Sequence, residues 1–183
     1  MEFQTFSTTL HLIGLALGAG GACLSGVLFF YSIADREITK VELKLMEWGN
    51  AVVWLGLALL VISGSGIFAS NIEGYLHDNK FHIKMMILAA LVINELIFKF
   101  GHLLRIKRHA GQHYPSSDEF VRKAPWLLLS GAVTFVSWAA LIAMGTVKAL
   151  QFSLLDTVFM YVIAVLLSFV AGMAVKNRIF FSE

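Results

Sequence analysis

The chain has 183 residues, of which 58% are hydrophobic and 14% charged, with a formal net charge of +2 and a mean hydropathy of +0.77. A soluble domain carries roughly a quarter charged residues, so this composition excludes a soluble domain. The small net charge excludes a nucleic-acid-binding protein. Apolar runs of about 20 residues, enough to cross a hydrocarbon core of ~30 Å, recur along the chain. The sequence therefore predicts an all-α polytopic membrane protein with a single membrane domain, residues 1–183.

Five transmembrane helices are predicted from the apolar runs, joined by short polar linkers. Their predicted spans are residues 8–32, 47–70, 82–104, 125–147 and 155–175. Pro125 is expected in the first turn of the fourth helix, where its missing N–H leaves no helical hydrogen bond unmade. The bundle core is expected to consist of the first four helices, with the fifth at its edge.

Basic residues outside the apolar runs are concentrated on one side of the predicted membrane. Only Lys80 and Lys148 fall on the other side. The ten on the first side are Arg36, Lys40, Lys44, Arg105, Lys107, Arg108, Arg122, Lys123, Lys176 and Arg178. The positive-inside rule then predicts an N-terminus outside and a C-terminus in the cytoplasm, in a bacterial inner membrane.

The first predicted helix carries a histidine near its outer end, above a strip of small residues. Gly14, Gly18 and Ala22 follow His11 by three, seven and eleven residues, so that all four share one helix face. Strips of this kind let membrane helices pack closely together. The same strip also leaves room for a flat cofactor held by the histidine.

The third predicted helix begins with a second histidine at the same predicted depth. His82 and Lys84 open this helix from the outer surface, level with His11 on the first helix. Two imidazoles can ligate a haem iron from opposite faces, and a basic group can pair with the propionates. The sequence therefore predicts haem b with His11 and His82 as metal ligands, and with Gly14, Gly18 and Lys84 lining the ring.

These residues also resemble those of a known group of proteins. An early His above a Gly-rich strip, with His-x-Lys opening the third helix (FHIKMMILAALVIN), is similar to small bacterial helical bundles related to CopD-type copper-resistance membrane proteins and HemJ-type protoporphyrinogen oxidases. The resemblance covers the first three helices. Within these proteins, a branch with the same SG-rich second helix is also similar to this chain. It implies binding of b-type haem or copper, with His11 and Lys84 at the positions that matter most in the HemJ type. It leaves open whether the chain is an enzyme.

Glu95 lies near the middle of the third predicted helix, where a charged side chain costs on the order of 3 kcal/mol. Lys99 follows four residues later, in the order that favours an ion pair along a helix. Lys84, Glu95 and His102 also fall on one face of a regular α-helix. This stripe predicts a proton relay through Glu95.

A structural role is the alternative for Glu95. A protonated carboxyl can hydrogen-bond a polar side chain of the same or a neighbouring helix, and such bonds join helices inside a membrane. The partners available in the sequence are Asn94, Thr134 and Ser137.

Three functions remain open from the sequence. The first is a haem-b-binding protein that transfers electrons or senses redox state near the periplasmic face, with a periplasmic redox partner. The second is a copper-handling membrane protein or transporter, because imidazole and thioether ligands suit Cu(I). Its outer-half methionines are Met85, Met86, Met144 and Met160. The third is a non-catalytic assembly subunit whose small-residue faces pack helices or join copies into a homo-oligomer.

Overall fold

The structure is a computed structural model, and every regular element that it describes is a helix. It describes residues 2–34, 37–111, 113, 117–146 and 153–181, with side chains as far as residue 178. Five helices are long and apolar enough to cross a membrane, which confirms the predicted all-helical fold and indicates a multi-pass membrane protein. Arg36 and Lys148, which contributed to the predicted orientation, lie outside the described residues.

The helices follow the predicted order but differ at their ends. In chain order they are α1 (Glu2–Ala34), α2 (Lys40–Ala69), α3 (Ile72–Leu76), α4 (Asn79–Ile97), a π-helical segment (Phe98–Leu103), α5 (Leu104–Arg108), α6 (Asp118–Thr146) and α7 (Leu154–Phe181). The segments α4, π and α5 together form the third spanning helix, Asn79–Arg108. The short α3 lies in the linker between the second and third spans.

Polar residues set the start of α2. The Thr39 hydroxyl accepts a hydrogen bond from the Glu42 backbone N–H at 3.1 Å, and the Glu42 carboxylate accepts one from the Thr39 backbone N–H at 2.8 Å. This reciprocal capping box satisfies donors that a helix N-terminus otherwise leaves unpaired. As a result α2 begins at Lys40, earlier than the apolar run that predicted it.

The start of α6 also lies upstream of its apolar run. The Ser117 hydroxyl accepts a hydrogen bond from the Phe120 backbone N–H at 3.1 Å, and α6 begins at Asp118. Pro125 therefore lies inside α6, where it removes one backbone donor. The prediction that Pro125 lies in the first turn of the helix was wrong. Ser117 caps a charged segment that precedes the apolar run, so α6 begins several residues before Pro125.

The closest helix pair is α1 with α2, and glycines on both helices make the approach possible. A Cβ atom at Gly21 would lie 3.0 Å from the Gly49 carbonyl oxygen, and one at Gly56 would lie 2.6 Å from the Gly18 Cα. The two backbones are thus in direct contact over several turns, as in other membrane helix pairs with small residues at the interface.

One end of the bundle is closed by apolar packing and ion pairs. The Lys107 ammonium lies 2.8 Å from the Glu47 carboxylate, and the Arg105 guanidinium lies 3.5 Å from that of Glu119, so α5 is tied to α2 and α6. We call this end, with the buried cluster next to it, the closed end. The cluster consists of Ile33, Ile38, Leu43, Met46, Leu103, Ile106, Phe120, Ala124 and Leu127.

The last helix, α7, is attached much less extensively than the others. Only 6% of its apolar window is buried within the chain, against 44% for α6. The Tyr161 and Ser137 hydroxyls are 2.8 Å apart, and Val165 packs in a small cluster with Ala132 and Val136 of α6. The predicted position of the fifth span at the edge of the bundle agrees with this packing.

Candidate functional site

His11 lies against α2 in the structure. Its Nδ1 is 3.1 Å from the Ser63 hydroxyl oxygen, and that hydroxyl donates its own hydrogen to the Leu59 carbonyl oxygen at 2.5 Å. Nδ1 is therefore the protonated ring nitrogen, which leaves Nε2 with a free lone pair. Lys84 lies within electrostatic reach of the His11 ring, so these two predicted site residues are brought together.

The glycine strip below His11 is covered by protein. A Cβ atom at Gly14 would lie 2.9 Å from the Gly56 carbonyl oxygen, and one at Gly18 would overlap the ring of Trp138 from α6. Close packing against α2 and Trp138 accounts for both glycines without a cofactor. A flat ring over this strip, as the sequence predicted, would have to displace that helix or that side chain.

His82 occupies the first turn of α4 and is exposed. Its Nδ1 lies 3.0 Å from the Asp78 carbonyl oxygen, and its ring meets Phe81 edge-on. Among the described residues, no hydrogen bond or ring contact joins His82 to His11, and no group of three or more His, Cys, Asp or Glu is placed to hold a metal ion. Haem ligation by the two histidines therefore stays a prediction.

Glu95 is buried and belongs to a short chain of hydrogen bonds between α4 and α6. The Thr134 hydroxyl donates to Glu95 Oε1 at 2.7 Å and accepts from the Asn94 amide at 2.8 Å. The same amide donates to the Ser130 carbonyl oxygen at 2.9 Å. The interhelical partner of Glu95 is thus one of those expected from the sequence, and Oε1 is engaged while Oε2 makes no hydrogen bond to the described residues.

The expected pairing of Glu95 with Lys99 is not formed. The Lys99 ammonium lies 5.2 Å from the centre of the Trp54 ring, in a cation–π contact on the outside of the bundle. The π-helical segment begins at Phe98, so the spacing of a regular α-helix does not hold beyond that point. The predicted stripe from Lys84 through Glu95 to His102 is therefore wrong in its second half.

A cavity of about 710 Å³, which we call the inner cavity, lies beside Glu95 and is bounded by all five spanning helices. Its polar lining includes Glu95, Thr134 and Asn50, and the rest of its wall is largely apolar. Small residues provide much of the space, namely Ala19, Ala22, Gly26, Gly131, Ala132 and Gly172. The sequence did not predict this cavity, because its residues come from five separate helices.

Two buried polar atoms in the wall of the inner cavity have no hydrogen-bond partner among the described residues. They are Trp138 Nε1 and Ser25 Oγ. Trp138 is only 3% exposed, and an indole N–H can act only as a donor. Leaving such a donor unpaired costs about 1–3 kcal/mol, and both atoms are enclosed by protein, so neither faces the open space of the inner cavity.

A second cavity of about 1110 Å³, the outer cavity, lies between α4, α6 and α7. Asp78 and Lys80 lie at its polar mouth, and Met144 and Met160 are among its apolar lining residues. Two of the four methionines named for copper, Met144 and Met160, thus line the same space, but neither predicted histidine joins them there.

Comparison of the chain with protein-family models, with curated proteins and with solved structures gave no match. The resemblance to CopD-type and HemJ-type proteins therefore stays a prediction, and the fold and site described above provide the basis for a functional proposal.

Proposed function

We propose that this chain is a protein of the bacterial inner membrane, with its N-terminus outside, that binds an apolar molecule with a hydrogen-bond-accepting group in the inner cavity. The observation that carries the proposal is the Glu95 carboxyl, which lines an otherwise largely apolar space and has only one of its two oxygens in a hydrogen bond to the described residues. A polar group on the ligand would pair with the other oxygen.

The inner cavity has the size and lining typical of a small-molecule site. Such sites have volumes of roughly 300–1,000 Å³ and are mostly apolar, with a few polar groups that orient the ligand. The inner cavity, at about 710 Å³, falls in this range.

Glu95 supplies the polar group for this ligand. Thr134 fixes the orientation of the carboxyl through Oε1, so that Oε2 is the atom left for an additional bond. A protonated carboxyl donates one hydrogen bond, and Glu95 lines the inner cavity. Ionisable side chains inside a membrane usually serve a function of this kind. A ligand carbonyl or hydroxyl oxygen matches this donor.

Native mass spectrometry of the purified protein, released from detergent, tests the proposal. We expect a non-covalent adduct co-purified from the membrane, and we expect Gly131→Leu to remove it, because a Cβ atom at this cavity-lining position meets nothing within 4 Å. Gly145→Leu is the matched control on the same helix, since it also meets nothing within 4 Å and lies outside the inner cavity. An adduct of equal occupancy in both variants, or no adduct in the unmodified protein, would contradict the proposal.

The second variant removes the carboxyl donor. Glu95→Leu loses the group that lines the cavity, and we expect the occupancy of the adduct to correspond to an affinity about tenfold lower. Thr134→Val is the control, because it breaks the same Glu95–Thr134 hydrogen bond but keeps the carboxyl, and it should retain the adduct. Equal loss in the two variants would show that the carboxyl plays no part in binding.

Haem b at the outer end is a second candidate, favoured by the free Nε2 of His11 with Lys84 nearby. In this case the protein transfers electrons or senses redox state with a periplasmic partner. A Soret band that shifts with dithionite supports it, with loss of the band in His11→Ala and His82→Ala and its retention in His102→Ala. A colourless protein that contains copper by elemental analysis supports the copper alternative, and a protein with neither supports the assembly role.

A further inference from the structure

We infer that the inner cavity is reached through the outer cavity, along the interface of α6 and α7 and past Phe135 and Ser168. The ligand is then an elongated molecule, with its accepting group at Glu95 and its chain extending toward Asp78 and Lys80. This inference rests on the proposed function, since it describes the route to the same site.

The two cavities share two lining residues. Phe135 of α6 and Ser168 of α7 line both the inner and the outer cavity. The lining of the outer cavity also includes the polar residues Asp78, Asn79 and Lys80, which we take as its mouth. The two cavities therefore adjoin at Phe135 and Ser168, and Phe135 is 59% exposed.

The opposite end of the bundle offers no such route. There the inner cavity is bounded by Met46, Ile106 and Leu127, which belong to the buried cluster of the closed end. Phe29 and Phe98 pack against the same cluster and add bulk next to the cavity. A ligand that entered from this end would have to separate this buried cluster.

The α6–α7 interface can open at a lower cost than the other helix contacts. α7 buries the smallest share of its apolar window of all five spans, at 6%. Near the junction it is held by the Ser137–Tyr161 hydrogen bond and by Val165, and farther along, a Cβ atom at Gly172 would only touch the Leu128 side chain at 3.5 Å. Small movements of α7 would therefore widen the passage without unpacking α1 and α2.

The lining of the outer cavity fits a chain with a polar end. Its mouth carries charged and amide side chains, and its depth is apolar, with Ile83, Ile87 and the α6 residues Ala139 and Ala143 among the lining. An elongated amphiphile would place its chain on these residues once its accepting group is bound at the inner cavity. This arrangement favours long ligands over compact ones.

Cysteine accessibility tests the route. Cys23 is the only cysteine of the chain, so Cys23→Ser gives a background in which single cysteines can be placed. In lipid nanodiscs, a membrane-impermeant, permanently charged methanethiosulfonate reagent reaches a thiol only through water, because a charge enters hydrocarbon unfavourably. We expect Ser168→Cys to react about 100-fold faster than Leu167→Cys, whose side chain is exposed outside both cavities.

Substitution of Phe135 separates the passage from a general opening of the protein. Phe135→Ala should speed the labelling of Ser168→Cys and Phe135→Trp should slow it, whereas both should leave Leu167→Cys unreactive. Equal reactivity at the two positions, or no response to Phe135, would overturn the inference. Since native mass spectrometry reports the adduct separately, an adduct with an unreactive Ser168→Cys refutes the route alone, and loss of the adduct itself refutes the proposed function.

Discussion

On the α1–α2 side of the bundle, Gly14, Gly21 and Gly56 each face the backbone of the opposite helix, and a Cβ atom added at any of them would lie 3.0 Å or less from that backbone. On the α6–α7 side, Gly131 faces nothing within 4 Å, and a Cβ atom at Gly172 would make an ordinary contact with Leu128 at 3.5 Å. The same residue type thus joins two helices in one place and leaves a cavity in another. The difference lies in the partner, because glycines on both helices let backbones meet, whereas glycine opposite larger side chains leaves space between them.

The largest effect is expected where the two backbones meet. In Gly56→Leu the new side chain would collide with the α1 backbone, including the Gly14 carbonyl oxygen 2.7 Å from the added Cβ atom. Because backbone cannot rotate aside as a side chain can, we expect the protein not to accumulate in the membrane. Yield by immunoblot measures this, with Gly20→Leu as the control, since a Cβ atom at Gly20 meets nothing within 4 Å. Normal accumulation of both variants would show that α1 and α2 can separate freely.

A smaller effect is expected where a glycine faces a ring. A methyl group at Gly18 would overlap Trp138, which must then move. Overpacking of this kind costs about 1–3 kcal/mol, so Gly18→Ala should lower Tm by roughly 3–10 °C. Thermal unfolding in detergent followed by tryptophan fluorescence gives both the Tm and the altered surroundings of the indole. An unchanged Tm and emission spectrum would mean that Trp138 already has free space beside it.

The next largest effect on stability is expected at the hydrogen bonds between α4 and α6. Thr134→Val removes the hydroxyl that donates to Glu95 and accepts from Asn94, and should reduce stability by about 1–3 kcal/mol. Glu95→Gln keeps an oxygen that accepts from Thr134 and should change the free energy of unfolding by less than about 1 kcal/mol. Denaturant titration of the two variants distinguishes them. A large loss of stability in Glu95→Gln would point to a structural role of the carboxyl, whereas unchanged stability together with altered pH-linked activity would favour the predicted proton relay.

The smallest effect on stability is expected at the cavity wall. Gly26 lines the inner cavity and a Cβ atom there meets nothing within 4 Å, so Gly26→Leu should change stability by less than about 0.5 kcal/mol. It should nevertheless lower the occupancy of the bound molecule, because the leucine side chain takes up ligand space. Parallel measurements of Tm and of the adduct in the mass spectrum check both parts. A large loss of Tm in Gly26→Leu would show that Gly26, like the glycines between α1 and α2, packs against protein and does not face open space.

The apolar runs alone predicted the five spanning helices, because length and hydropathy are properties of contiguous sequence. The helix ends were less accurate where a cap lay outside the apolar run, as at Thr39 for α2 and Ser117 for α6. Caps depend on single polar residues, which an average over many residues does not detect.

The candidate site was predicted only in part. The sequence of a helix shows which residues of one face are small or polar, but it does not show which helix packs against that face. The strip at Gly14 and Gly18 was recognised as a surface of close approach, but sequence spacing did not show that α2 and Trp138 cover it. His82 was placed at the right end of its helix, yet its hydrogen bond to the Asp78 carbonyl oxygen had no signal in the pattern. The Glu95–Thr134 bond was among the expected alternatives, because two polar residues in adjacent apolar spans have few other partners.

The π-helical segment Phe98–Leu103 changes the direction in which the later residues of the third spanning helix point around its axis. A π turn accommodates one residue more than an α turn, so every later side chain is rotated by about 100° from its place on an uninterrupted α-helix. Inserting one residue into an unbroken α-helix would produce a turn of this kind. Deleting Gly101 would restore an α-helical phase and turn His102, now buried, and the α5 residue Lys107, now paired with Glu47, toward different neighbours. The ion pairs of the closed end therefore depend on a single extra residue within the membrane.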